Sequence, residues 1–158
     1  RFAELFNKRW CIITPMGKNN KNSLNKLKKL WNIFGSKVQI MNAKNHDKIL
    51  AITSHMPHLI SYAIVFSSLN ANAKEKSQII KFSAGGFRDF TRIAASDATM
   101  WKDIFLNNKK NLLKTVNEFE KSLNLIKQYI KQNKSKKIQE VFIKTKKIRK
   151  LIEKEKQE

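Results

Sequence analysis

Three rhythms of apolar and polar residues divide this chain. Between Arg9 and Thr14 the run Arg-Trp-Cys-Ile-Ile-Thr is continuously apolar at its centre and is stopped by Pro15 and Gly17, the pattern of a buried strand ending in a turn. Ser23 then precedes Leu24, Leu27, Leu30, Trp31 and Phe34, spaced as on one face of a helix, with Gly35 as its stop. From Ser36 to Met41, Val38 and Ile40 alternate with Lys37 and Gln39, as in a second strand. Strand, helix and strand over about thirty residues make a βαβ unit, whose crossover requires parallel pairing.

No strand pattern follows Asn42, so the architecture is expected to change to all-helical near residue 43, giving units of 1–42 and 43–158. One long helix is predicted from about Asn45 to Leu69, another from Gly86 to about Ser96, and a third after Asp97 as its N-cap. Beyond it, Leu112, Val116, Phe119, Leu123, Ile126 and Ile130 step by four and three, and Ile138, Val141, Thr145, Ile148 and Ile152 nearly repeat the rhythm. The polar stretch Lys131 to Lys137 separates them, as in a helical hairpin whose apolar stripes face each other or a second subunit.

At 158 residues and 41% apolar content, the chain can bury one respectable core, which excludes a rich multidomain protein. It opens on Arg1, and Phe2 to Trp10 has no charged-then-apolar leader, so we expect a fragment of a longer protein. The single cysteine, Cys11, excludes an internal disulfide and a thiolate metal cluster, which favours a cytoplasmic setting. Ile49 to Leu69 has nearly the length of a membrane span, but His55, Pro57, His58 and four serines within it favour a buried helix. The loudest number is charge: 33 Lys+Arg against 12 Asp+Glu, a formal net of +21. Such an excess favours acidic partners, including nucleic acid. Most of it is lysine scattered among Asn and Ile with few aromatics to stack on bases, so a solvated surface is the expectation.

All three histidines fall within Asn45-His46-Asp47 and Ser54-His55-Met56-Pro57-His58. At about 100° per residue, Asp47, Ser54, His58 and Ser61 share a narrow helical stripe, with His46 and His55 pointing elsewhere. A polar stripe on an apolar helix needs partners or a ligand, and neighbouring hydroxyls would satisfy it equally well. His55 and His58 have no nearby Glu or thiolate, so no metal site is expected. Pro57 removes a backbone donor and is expected to kink the helix beside the histidines. A second constellation is Ser83-Ala84-Gly85-Gly86-Phe87-Arg88-Asp89-Phe90-Thr91-Arg92. Paired glycines opening a helix leave free amide donors, and Arg88 and Arg92 stand one turn apart, an arrangement suited to an anion. Asp89 is placed to bond either arginine and hold its fork, although a plain surface ion-pair helix has the same sequence. The four glycines form no phosphate-binding fingerprint, and no nucleophile has a recognisable setting.

Taken in order, Trp10-Cys-Ile-Ile-Thr-Pro15, His46-Asp47, Ser54-His-Met-Pro-His58, Gly85-Gly-Phe-Arg-Asp-Phe-Thr-Arg92-Ile-Ala and Met100-Trp-Lys-Asp-Ile-Phe105 resemble successive signatures of the prephenate and arogenate dehydrogenase family. The resemblance spans roughly Phe2 to Lys109. It implies a mainly α fold: residues 1–42 as the last βαβ piece of a Rossmann-type nucleotide-binding domain, and 43–158 as a helical substrate-binding domain that forms a homodimer. It implies NAD, with NADP not excluded, and prephenate or arogenate as substrate. The reaction implied is oxidative decarboxylation, with the glycine fingerprint and the catalytic histidine of a His-Pro motif lying before Arg1. Carried over by residue, Arg92 would grip a substrate carboxylate, Asp89 would orient it and His58 would face the substrate side chain. His46, Asp47, His55, Gly85 and Trp101 would line the pocket or subunit contact, and Thr14 and Pro15 would border the cofactor. Two alternatives stay open: arogenate or dual cyclohexadienyl specificity, and a basic helical nucleic-acid-binding module.

Overall fold

The structure, a computed structural model, describes residues 4–17, 20–68, 70 and 72–155. Its contacts fall into two units, Arg1–His46 with Glu120–Glu158, and Asp47–Phe119. The fold class is the one expected, mainly helical after a βαβ opening.

In the first unit, β1 (Trp10–Ile13) and β2 (Lys37–Ile40) pair in parallel, with Cys11 opposite Val38 and Ile13 opposite Ile40. Between them runs α1 (Lys21–Ile33). It starts earlier than Ser23 implies, because Asn20 is the cap and accepts a hydrogen bond from the Asn22 amide at 2.8 Å. The polar first turn carries no apolar signal, so periodicity alone could not reveal it. Gly35 ends the segment at φ +83°, where a Cβ would come within 2.9 Å of Asn7 Oδ1, so both conformation and space require glycine. Trp31 meets both Phe6 and Phe34 edge to face around the return, and the buried Ser36 hydroxyl donates to the Phe6 carbonyl.

The same unit holds the end of α7 (Lys109–Lys131) and all of α8 (Ser135–Lys154), joined through Asn133 at φ +52°. The hairpin forms, but its stripes do not cover one another. Ile130, Phe142, Ile148 and Ile152 are all 57% to 60% exposed.

From Asp47 onward the second unit holds most of one helical run, Ala43–Ser68, composed of α2 (Ala43–Leu50), a π turn (Ala51–His55) and α3 (Met56–Ser68). In the π turn the Met56 amide reaches back to the Ala51 carbonyl, so Pro57 follows a widened turn. Pro57 lacks an amide donor, and a widened turn just before it is where a regular ladder is already interrupted. By length and composition this run could cross a membrane, its most apolar 18-residue stretch having a mean hydropathy of 1.5. It is not the buried helix expected, since only 17% of that stretch is buried. One side lies against α5 (Gly85–Thr91) and a 3-10 turn (Arg92–Ala95). Ile52 and Phe66 stay exposed.

Ahead of α5 stands α4 (Ala73–Phe82), absent from the periodicity reading. Asn72 and Glu75 form a reciprocal capping box, the Asn72 side chain accepting from the Glu75 amide and the Glu75 carboxylate from the Asn72 amide. Asp97 caps α6 (Ala98–Asn107) as expected, its carboxylate accepting from the Met100 amide. Asn108 interrupts the helix before α7 begins.

Candidate functional site

The π turn sets the site. It spends more residues per turn than an α-helix, so the phase counted from Asp47 at a regular pitch does not carry through to His58. The expectation that His55 points away from His58's surroundings is corrected: both rings meet Trp101. His58 stacks on the Trp101 indole with ring centroids 3.5 Å apart, and His55 meets it edge-on at 6.3 Å. Phe105, one turn along α6, backs the indole at 5.5 Å.

Hydrogen bonds fix the tautomers. His58 Nδ1 lies 3.0 Å from the Ser54 carbonyl oxygen, which can only accept, so Nδ1 carries the proton and the neutral ring offers Nε2 as an acceptor. His55 is buried, and its Nδ1 accepts from Asn108 Nδ2 at 3.2 Å. The same amide donates to the Asp47 carbonyl at 2.7 Å, and Asn108 Oδ1 accepts from Asn111 Nδ2 at 2.8 Å. These three contacts agree on one amide orientation, which leaves the proton of neutral His55 on Nε2. Trp101 is 7% exposed, and among the described residues its indole N–H has no hydrogen-bond partner. A buried, unanswered donor is uncommon.

The arginine arm differs from expectation. Gly85 opens α5, but the α-helical part lasts only to Thr91, and Ala84 provides no side-chain cap. Arg88, Asp89 and Arg92 are exposed. Asp89 makes no ion pair with either arginine among the described residues. The arm joins the histidine helix through its backbone: Ser61 Oγ donates to the Phe90 carbonyl and the Tyr62 hydroxyl to that of Ser96, each at 3.1 Å. His46 and Asp47 are half-buried on α2, and Asp47 contributes its main-chain carbonyl to the Asn108 network. Among the described residues no three His, Cys, Asp or Glu side chains converge. Periodicity missed Asn108, Asn111 and Tyr62. An asparagine at the junction of two helical rhythms was the available signal for the first.

In the other unit, Thr14 and Pro15 border a crevice of 450 Å³ at the carboxyl end of β1, with Asn20, Ser23 and Leu27 on its helical side. That is the end of a parallel sheet where ligands enter. Nearby, burial pushes the Cys11 thiol up from its ordinary pKa.

The family described as "Prephenate dehydrogenase, dimerization domain" matches residues 42–144. A cyclohexadienyl dehydrogenase of Zymomonas mobilis is 37% identical over 118 residues, 75% of this chain and 40% of the relative. A prephenate dehydrogenase of Bacillus subtilis is 33% identical over 129 residues, 81% of this chain and 34% of the relative. The crystal structure of an Aquifex aeolicus prephenate dehydrogenase in complex with hydroxyphenyl propionate and NAD+ superposes with a TM-score of 0.87 at 36% identity, covering 94% of this chain and 52% of that one. The chain thus spans two fifths or less of the length of these two curated relatives. With its helical fold, its histidine-tryptophan cluster and this match across most of its length, the chain belongs to the prephenate dehydrogenase family.

Proposed function

We propose that these residues form the substrate-side helical wall of an NAD-dependent prephenate dehydrogenase, which converts prephenate to 4-hydroxyphenylpyruvate by oxidative decarboxylation. The observation that carries this reading is the similarity over 94% of the chain to an enzyme described with hydroxyphenyl propionate and NAD+. That ligand presents an aromatic ring, a hydroxyl and a carboxylate. This chain has groups for each: the half-buried His58 stacked on Trp101 with an acceptor nitrogen, the unanswered Trp101 N–H, and the exposed Arg92 guanidinium. A guanidinium suits a carboxylate because its fork matches two oxygens. Asp89 would orient Arg92 only once substrate draws the arm together, since the two are unpaired in the free chain. His55 and Asn108 hold the π turn that presents His58, and Asp47 and Gly85 complete the wall.

For the nicotinamide cofactor the fit is partial: Thr14 and Pro15 border the sheet-end crevice, and the described glycines include no pyrophosphate cradle. When bound, the cofactor supplies hydride acceptance. The residues of this chain hold the substrate, orient its carboxylate and keep water from its ring. The base that removes the ring hydroxyl proton is assigned to residues outside these 158. We also propose a homodimer in the cytoplasm, assembled through the uncovered stripes of α7 and α8.

The test is steady-state kinetics of the full-length protein carrying these residues, following prephenate-dependent reduction of NAD. Turnover with prephenate is expected. Turnover with arogenate alone would move the assignment to the arogenate branch, and no turnover with either would overturn it. The 158 residues alone are expected to give no heat on titration with NAD.

A further inference from the structure

Two adjacent hydroxyls on α3 hold the arginine arm. Ser61 is fully buried, with no exposed surface, and its Oγ donates to the Phe90 carbonyl at 3.1 Å. Tyr62, the next residue, donates its hydroxyl to the Ser96 carbonyl at the same distance. Ser61 and Tyr62 follow His58 by three and four residues on a regular α-helix, so all three share one face. Phe90 and Ser96 bracket Arg92, two residues before it and four after. At Arg92 the arm changes from α to 3-10 geometry. A segment that changes helix type needs outside partners to hold its phase, because its own ladder admits both forms. Both outside partners come from the helix that carries His58.

We infer that Ser61, seconded by Tyr62, is a positioning residue: it sets the separation between the Arg92 guanidinium and the His58 ring, and so the length of substrate the two grip together. The inference rests on the reading of Arg92 and His58 given above. Ser61 does not touch substrate. It acts through the Phe90 carbonyl and the backbone that leads to Arg92. Replacing it by alanine removes one oxygen from a closed site and leaves a carbonyl without its donor, which frees the arm to shift.

The test is kinetic, in the full-length enzyme. Ser61→Ala is expected to raise the Michaelis constant for prephenate about tenfold, the loss of roughly one hydrogen bond, with kcat and NAD affinity nearly unchanged. Tyr62→Phe, which keeps the ring, is expected to act in the same direction and guards against a folding defect in the first variant. The Ser61→Ala effect should largely vanish in an Arg92→Ala background, since the hydroxyl works through that side chain. A lowered melting temperature with an unchanged Michaelis constant in both variants would overturn the inference, as would effects that simply add to that of Arg92→Ala. If Arg92→Ala alone leaves the Michaelis constant unchanged, the assignment of Arg92 has failed and the positioning role goes with it.

Discussion

The imidazole of His58 lies flat on the indole of Trp101, the two planes only 19° apart. Trp101 is nine-tenths buried and His58 half-buried, so the histidine forms the open face of the stack. A ligand reaching this wall meets an imidazole whose Nδ1 is already committed to the Ser54 carbonyl. Its chemistry is therefore confined to Nε2.

Trp101 separates packing from recognition. Trp101→Ala should destabilise the protein by about 3–5 kcal/mol, because it empties the space between two histidines and Phe105. Trp101→Phe keeps a ring for the stack and removes only the N–H and some volume. If the N–H answers a substrate acceptor, Trp101→Phe in the full-length enzyme should raise the Michaelis constant while losing far less stability. Urea unfolding and steady-state kinetics on both variants check this.

Arg92→Ala should chiefly raise the Michaelis constant, by the equivalent of about 2 kcal/mol, near the lower end for a removed charge partner. The lower end applies because the guanidinium is exposed and unpaired in the free chain. For the same reason its loss should change stability by no more than about 0.5 kcal/mol. Arg92→Lys should recover part of the affinity, since a point charge cannot reproduce the fork. An unchanged Michaelis constant in a stable Arg92→Ala protein would remove Arg92 from the site.

Asn108 carries three hydrogen bonds in a buried position, so Asn108→Leu should cost about 2–3 kcal/mol in urea unfolding. Asn108→Asp is more informative. It sets a carboxylate against His55 Nδ1, which should move the ring proton to that nitrogen. Nitrogen NMR of the imidazole would show the change of tautomer.

The uncovered stripe of α8 predicts association. Light scattering of the full-length protein at roughly 20 μM should report a dimer. The paired change Ile148→Lys and Ile152→Lys, at two exposed apolar positions on one face of α8, should shift it toward monomer with the helix content unchanged. A monomeric parent protein at that concentration would sink the proposal.

The βαβ unit was legible because its punctuation is local: Pro15 with Gly17, then Gly35, then the alternation about Val38. The stripes of α7 and α8 were legible for the same reason, each being a property of consecutive residues. What covers those stripes was not, because it depends on packing partners. Helix α4 escaped because its apolar residues Ile79, Ile80 and Phe82 are few and late, although Asn72 and Glu75 announced its start. In the candidate site, the crowding of three histidines pointed to the helix whose His55 and His58 meet Trp101. The Asn108 partnership spans 53 residues to His55, and no periodicity encodes so distant a pairing. Asp89 forms no ion pair with Arg88 or Arg92 among the described residues, because such a spacing permits a pair without requiring one, and exposed pairs are weakly held.

The π turn at Ala51–His55 also gives this helix a place where its length can change. A π turn holds one residue more than the α turn it replaces, so deleting one residue there would let the backbone relax into a regular α-helix. The side chains beyond the deletion would keep nearly their present angle around the axis relative to Ala43–Leu50, with His58 still toward Trp101 and Ser61 still toward the carbonyl of Phe90. The same deletion within the regular ladder of α2 would instead swing everything beyond it by about 100°. The surplus residue of the π turn therefore works as slack, and a relative lacking one residue there could keep the same wall.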